Sequence, residues 1–161
     1  MIVYFAYGSN LDKEQMQNRC PSSCFLCKAL LENYKLAFTR KSTKRGGGVA
    51  DIVESVGSRV WGVVYQLDER ELELLDKREG YDPNRKKNME KNCYIRKELT
   101  VCMDGYERKQ IMAYAYQVQE PSSSHIPPSR KYLNQIISAA EFWGIDPEYI
   151  EELKSISVSC D

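Results

Sequence analysis

Two stretches of this chain carry side chains whose type and spacing suit chemistry. The first is Tyr7-Gly8-Ser9-Asn10, which follows a short apolar run. A Gly-Ser-Asn turn offers several backbone N–H groups and two polar side chains. Leading into a helix start, such a turn forms a cradle for an anion. The competing reading is a plain strand-to-helix connection capped by Asn10. The lysine and the full glycine spacing of a P-loop are missing.

The second is Glu79. Counted from Leu72 at about 100° per residue, Glu79 falls within roughly 20° of the Leu72 direction. If the helix persists that far, the carboxylate extends the apolar stripe and points inward. Lost hydration then raises its pKa, which suits a group that must act first as base and then as acid. If the helix frays before Gly80, Glu79 is a solvated terminal residue, as most glutamates are.

Other groups invite weaker readings. Cys20, Cys24 and Cys27 have the spacing that holds an iron–sulfur cluster in radical enzymes, but such enzymes need a large barrel. Cys24 and Cys27 also flank an apolar pair, Phe25-Leu26, where thiols pack well. A single histidine, His125, leaves zinc short of ligands, so no metal is expected. His125 sits in a Ser/Pro-rich stretch and reads as an exposed loop residue. The eleven tyrosines, Tyr114, Tyr116 and Tyr132 among them, read mostly as core or interface residues with one polar tip. The basic clusters at residues 41–45 and 85–87 read as solvated loops.

The elements that must hold these groups follow from pattern. Residues 2–7 read as a buried strand, and residues 12–19 as a short helix capped by Asn10 or Asp12. Strands are expected at 25–31, 34–40, 49–54 and 60–67, with Gly62 marking a bulge or a close approach. Residues 68–79 form a helix in which Asp68 caps and Glu71 stands as its capping-box partner. Residues 82–92 are a polar loop. Residues 94–103 and 110–118 form a hairpin turning near Asp104-Gly105. Three prolines and four serines make residues 120–129 a loop. A helix over 130–143 ends at Gly144, and Pro147 opens the last helix. No regular helix separates each strand pair. The fold class is therefore α+β, a mixed or barrel-like sheet flanked by helices.

The chain has 161 residues, which fits a single domain over 1–161. Lys plus Arg and Asp plus Glu are each 23, giving a formal net charge of zero. A nucleic acid or an anionic membrane would call for a basic field, so neither is expected as a partner. No apolar run reaches the length of a membrane span. Met1-Ile2-Val3-Tyr4 lacks a basic region ahead of its apolar residues, so a cytoplasmic protein with reduced thiols is expected.

Four ordered segments resemble one known family. Tyr4-Phe5-Ala6-Tyr7-Gly8-Ser9-Asn10-Leu11 is similar to the signature of the γ-glutamylcyclotransferases of the AIG2-like superfamily. Val60-Trp61-Gly62-Val63-Val64-Tyr65 resembles the family's central strand, and Leu75-Asp76 with Glu79-Gly80 the segment of its catalytic glutamate. Pro127-Pro128-Ser129, Tyr132 and Pro147-Glu148-Tyr149 resemble its C-terminal part. The resemblance spans nearly the whole chain.

What it implies is a small mixed β-barrel with flanking helices and an enzyme without metal or organic cofactor. Such an enzyme releases 5-oxoproline from a small γ-glutamyl substrate. It implies that Glu79 is the acid/base and that Tyr4, Tyr7, Gly8, Ser9, Asn10 and Leu11 hold the glutamyl part. Tyr116 and Tyr132 match the substrate-contacting tyrosines, with Tyr114 as the rival for Tyr116. A homodimer is compatible with the family. The longer basic segment from Tyr81 to Arg85 is more like bacterial relatives and leaves the leaving amine open. The cysteine trio lies outside the family pattern. Two rival functions stand beside this one: a non-catalytic module that binds a γ-glutamyl metabolite, and a redox protein built on the three cysteines.

Overall fold

The computed structural model describes residues 1–86, 92–105 and 109–160. Five strands close into a barrel in the order β1-β3-β2-β4-β5. They are β1 (Ile2–Ala6), β2 (Cys24–Ser42), β3 (Gly47–Leu67), β4 (Tyr94–Met103) and β5 (Gln110–Val118). All pairings are antiparallel except β1 with β5, which meet in parallel at Tyr4 and Tyr114. That one parallel contact makes the barrel mixed, as expected.

The four short strands expected between residues 25 and 67 are two long ones. β2 and β3 form a hairpin whose ladder runs from Cys24 opposite Gln66 to Ser42 opposite Gly47. The polar break at Glu32-Asn33 does not end the strand. It is absorbed by a register shift between Glu32 and Tyr34. Asn33 takes φ 62°, and its side-chain oxygen accepts from the Gly57 N–H at 3.1 Å. Asparagine tolerates that conformation because its short polar side chain bonds locally. The hairpin therefore bends and its ladder continues.

Gly62 is a close approach. A Cβ there would lie 2.3 Å from the Ala6 carbonyl oxygen and 2.6 Å from the Phe5 ring. Both neighbours are fully buried and cannot yield without moving β1. Gly62→Ala is expected to lower stability by about 1–3 kcal/mol, the usual cost of overpacking. The urea midpoint should fall at unchanged slope. An unchanged midpoint would mean that β1 shifts freely.

The helices pack on this barrel. Asp12, rather than Asn10, caps α1 (Lys13–Arg19), accepting from the Glu14 and Gln15 N–H groups at 3.0 and 3.3 Å. Asp68 caps α2 (Glu69–Arg78) through the Glu71 N–H at 3.0 Å. The second half of the capping box is not made. The Glu71 carboxylate turns instead to the Ser22 N–H and hydroxyl, tying the end of α1 to α2. Leu72 and Leu75 bury the inner face of α2, each contributing about 1.5–3 kcal/mol. Ser129 caps α3 (Arg130–Phe142), and Pro147 opens α4 (Pro147–Lys154). Among the described residues no helix is long and apolar enough to cross a membrane.

The hairpin turn expected near Asp104-Gly105 and the loop over residues 82–92 fall partly outside the described residues. So does part of the basic cluster at 85–87.

Candidate active site

The end of β1 and the end of α2 meet at one cleft. Tyr4, Tyr7, Gly8, Ser9, Asn10, Ala50, Glu79, Tyr94, Tyr116 and Tyr132 line it, around about 330 Å³ of empty space. The two stretches singled out in the sequence, residues 7–10 and Glu79, thus face each other. Tyr116 lines the cleft and Tyr114 does not. Tyr114 instead stacks on the Arg96 guanidinium, 5.0 Å from the ring centre. Leu11 also lies outside the lining. Its side chain is fully buried, and its carbonyl accepts from the Trp143 indole N–H at 2.7 Å.

Glu79 reaches the cleft by a different device from the one its helical spacing suggested. α2 stops at Arg78, and Glu79 is its C-cap, with φ −81° and ψ 0°. Gly80 follows with φ 66°. The Tyr81 N–H bonds to the Asp76 carbonyl at 2.8 Å, and the Gly80 N–H to the Lys77 carbonyl at 3.2 Å. This is the Schellman end of a helix, and glycine is favoured at the left-handed position. A Cβ on Gly80 would also lie 2.9 Å from the Cys93 Sγ. The reversal leaves the Glu79 carbonyl accepting from the Tyr94 N–H, which stitches α2 to β4.

The Glu79 side chain is 19% exposed. Burial pushes its pKa above the ordinary carboxylate range, while Arg19, Arg45 and Arg40 pull it back. The nearest of these cations, Arg19, has a guanidinium nitrogen 4.0 Å from the carboxylate. Burial in turn pulls Arg19 down, and Glu79 holds it up.

Opposite Glu79, a three-residue 3-10 turn (Ser9–Leu11) follows Gly8. The Leu11 and Asp12 N–H groups close it onto the Gly8 and Ser9 carbonyls. The N–H groups of Ser9 and Asn10 precede its first bond, where a helix start has no internal acceptors for them. A side chain on Gly8 would bring a Cβ to 3.1 Å from the Ala50 Cβ, at the floor of the cleft. The Asn10 amide is fixed on both ends. Its nitrogen donates to the Tyr4 hydroxyl at 2.9 Å, and its oxygen accepts from Gln15 at 3.0 Å and Arg19 at 2.8 Å.

The tyrosine hydroxyls are tied to the barrel. Tyr132 accepts from the Ala50 N–H at 3.1 Å, and Tyr94 donates to the Ala50 carbonyl at 2.8 Å. Tyr7 donates to the Tyr116 carbonyl, and Tyr116 donates to Asp76 at 2.7 Å. Asp76 is held in turn by Arg96. Burial raises the pKa of Tyr4, Tyr7, Tyr94, Tyr116 and Tyr132 alike. All five stay neutral phenols at physiological pH.

Several contributors were not legible as site residues. Tyr94 and Ala50 come from strands read only as strands. Arg45 belongs to the basic cluster read as solvated, yet it is half-buried. It donates to Gln15 at 2.9 Å and to Gln135 at 3.2 Å, and lies 5.2 Å over the Tyr132 ring. Asp51 is fully buried behind Ala50. It accepts from Thr39 at 2.7 Å, from its neighbour Ile52 N–H at 2.8 Å and from the Val118 N–H at 2.9 Å. A lone acid inside the apolar run 49–53 was the available signal.

The remaining candidates lie elsewhere. His125 is exposed, 3.1 Å from the Ser157 carbonyl. Cys20 is buried, and burial lifts its pKa to about 12. Cys24 is exposed on β2 and Cys27 is buried there. Among the described residues no three His, Cys, Asp or Glu side chains are grouped to hold a metal.

Comparison with known proteins agrees in family. A family model described as gamma-glutamyl cyclotransferase, AIG2-like, matches residues 4–134. The gamma-glutamylcyclotransferase of Bos taurus is 37% identical over 159 residues, covering 96% of this chain and 78% of its own. That of Homo sapiens is 36% identical over the same length and coverage. A solved structure titled gamma-glutamyl cyclotransferase superposes with TM-score 0.87 at 34% identity, over 99% of this chain and 90% of that one.

Proposed function

The chain belongs to the AIG2-like gamma-glutamyl cyclotransferase family, and we propose that Glu79 moves the proton in its reaction. The protein is an enzyme, a γ-glutamylcyclotransferase. Its proposed substrate is a γ-glutamyl amino acid or γ-glutamyl amine, and its product 5-oxoproline. The observation that carries the role of Glu79 is its place in the cleft. Among the described residues it is the only carboxylate in a lining otherwise made of tyrosines, Ala50 and the Gly8-Ser9-Asn10 turn.

Nucleophile and electrophile belong to one molecule, so the enzyme's first task is to fold the glutamyl chain for ring closure. The four tyrosines Tyr4, Tyr7, Tyr116 and Tyr132 give that chain neutral walls with hydroxyl edges. The α-amine nitrogen attacks the carbonyl carbon of the γ-glutamyl amide. As the new N–C bond forms, the nitrogen passes a proton to Glu79. The γ-carbonyl oxygen gains negative charge, and the N–H groups of Ser9 and Asn10 are the donors proposed for it or for the α-carboxylate. The C–N bond to the leaving amine then breaks as Glu79 returns the proton to the leaving nitrogen. One proton moves, one C–N bond is exchanged for another, and no water is consumed. In this reading Leu11 seats the turn from behind.

A carboxylate that serves as base and then as acid works best with a raised pKa. Burial supplies that shift, and Arg19 limits it. Replacing Arg19 by Gln removes the nearest cation, so the Glu79 pKa moves further up. The acid limb of kcat/KM is then expected at higher pH than in wild type, with the larger loss of rate on the acid side. A limb that stays in place or moves down would contradict the coupling.

The same reading treats residues 1–161 as one domain working in the cytoplasm, with a homodimer as the assembly to test by size-exclusion light scattering. The activity itself is tested by mass spectrometry of 5-oxoproline after incubation with γ-glutamyl amino acids and γ-glutamylamines. Product supports cyclotransfer. Tight binding of 5-oxoproline with no turnover of any substrate would favour a binding module.

A further inference from the structure

Beyond Glu79 the cleft opens into a second, solvent-open basin, which shares Ser9, Glu79, Tyr94 and Tyr132 with the first. Five cations line it: Arg19, Arg40, Lys44, Arg45 and Arg78. Among the described residues of this lining, Glu79 is the only carboxylate. The cations come from α1, β2, the β2–β3 turn and α2, so the folded barrel gathers a charge that the neutral composition hides.

What holds these arginines matters. The Arg40 guanidinium is 3.0 Å from the Cys93 Sγ. Arg45 donates to Gln15, Gln135 and Ser9, all neutral. Arg19 donates to Asn10 at 2.8 Å and approaches Glu79 only to 4.0 Å. Neutral acceptors fix the direction of a guanidinium without cancelling its charge. Lys44 and Arg78 are exposed at the rim. Like charges so gathered repel one another, and an anionic ligand relieves that cost.

The geometry points to a substrate whose leaving portion carries at least two carboxylates, a γ-glutamyl derivative of an acidic amino acid or of a short γ-linked glutamyl chain. This rests on the cyclotransferase reading above. Glu79 sits where the two basins join, so the amine it protonates leaves through the basic one. The substrate's own α-carboxylate and a single carboxylate on the leaving amino acid would occupy two of the cations. With Glu79 ionised, a surplus of positive charge still faces the leaving portion. A polycationic amine would be repelled from the same basin. Only a terminal glutamyl unit has the free α-amine that cyclisation needs, so a chain would lose one unit per turnover from that end.

The test compares two nearly isosteric substrates, γ-glutamyl-glutamate and γ-glutamyl-glutamine, by release of 5-oxoproline. At low salt kcat/KM is expected to favour the glutamate compound by about tenfold, the worth of one charge-assisted hydrogen bond. In about 1 M NaCl, where the Debye length falls to about 3 Å, the ratio should shrink to about threefold or less. The double variant Arg78→Gln, Lys44→Gln should shrink it at low salt as well, with an unchanged circular-dichroism melt as the control for folding. Equal kcat/KM for the two substrates, both giving product, would overturn this preference and leave the activity standing. No 5-oxoproline from either would overturn the activity and the preference together.

Discussion

Glu79→Gln protein is expected to fold as wild type, to bind 5-oxoproline, and to lose turnover by about 10³-fold or more. General acid–base catalysis is worth about 10²–10⁴, and in the proposed reaction one carboxylate serves both transfers. Glutamine keeps the length and shape of the side chain but cannot carry the proton. Its effect on stability has a definite sign. Burial raises the Glu79 pKa in the folded protein. The protonated form is therefore favoured by folding, and this contribution is full at pH below the ordinary carboxylate value. It is lost as pH rises through the raised value. Above that value the ionised carboxylate costs the fold something, which glutamine removes. The melting temperature at pH 7 should be equal to or above that of wild type. A variant that keeps wild-type kcat would refute the role. One that loses activity only by unfolding would show a lowered melting temperature instead.

Asp51→Ala is expected to cost about 3–5 kcal/mol, since it strands the Thr39 hydroxyl and the Val118 N–H in the interior. For a domain of this size that is a fall in melting temperature of roughly 6–20 °C. Asp51→Asn should lose no more than about 1 kcal/mol. Its amide oxygen still accepts from the two backbone N–H groups, and its nitrogen can donate to Thr39. The difference between the variants separates hydrogen bonding from charge. Activity should follow, because Asp51 precedes Ile52 on the strand whose Ala50 backbone anchors both Tyr94 and Tyr132. A melt of Asp51→Ala indistinguishable from wild type would mean that water or a neighbour takes over both groups.

The barrel was legible because its strands are β-branched and short of helical spacing, and the helices because Asp68, Gly144 and Pro147 punctuate them. Strand ends were less so. Asn33 reads as a break, but a polar corner with a positive φ lets one ladder run on. The spacing of Glu79 left it either inward or solvated, and what turns it to the cleft is the Gly80 reversal and not the apolar stripe. The turn 7–10 carried its own signal in Gly-Ser-Asn. The cations did not. Arg19, the stretch from Arg40 to Arg45 and Arg78 lie far apart in sequence, each beside polar residues, and a cluster of this kind exists only after the barrel closes. Tyr116 and Tyr114 could not be told apart by spacing. Asp76 and Arg96 separate them, by drawing the Tyr116 hydroxyl to one and the Tyr114 ring to the other.

In the proposed reaction the Glu79 carboxylate carries the proton. That role is checked by titrating the carboxyl with 13C NMR, its resonance assigned by its absence from the Glu79→Gln spectrum. The titration is then compared with the acid limb of kcat/KM for 5-oxoproline release. One value is expected in both experiments, above the ordinary carboxylate range. A Glu79 that titrates as an exposed glutamate, or an acid limb that does not track it, would remove Glu79 from the proton transfer.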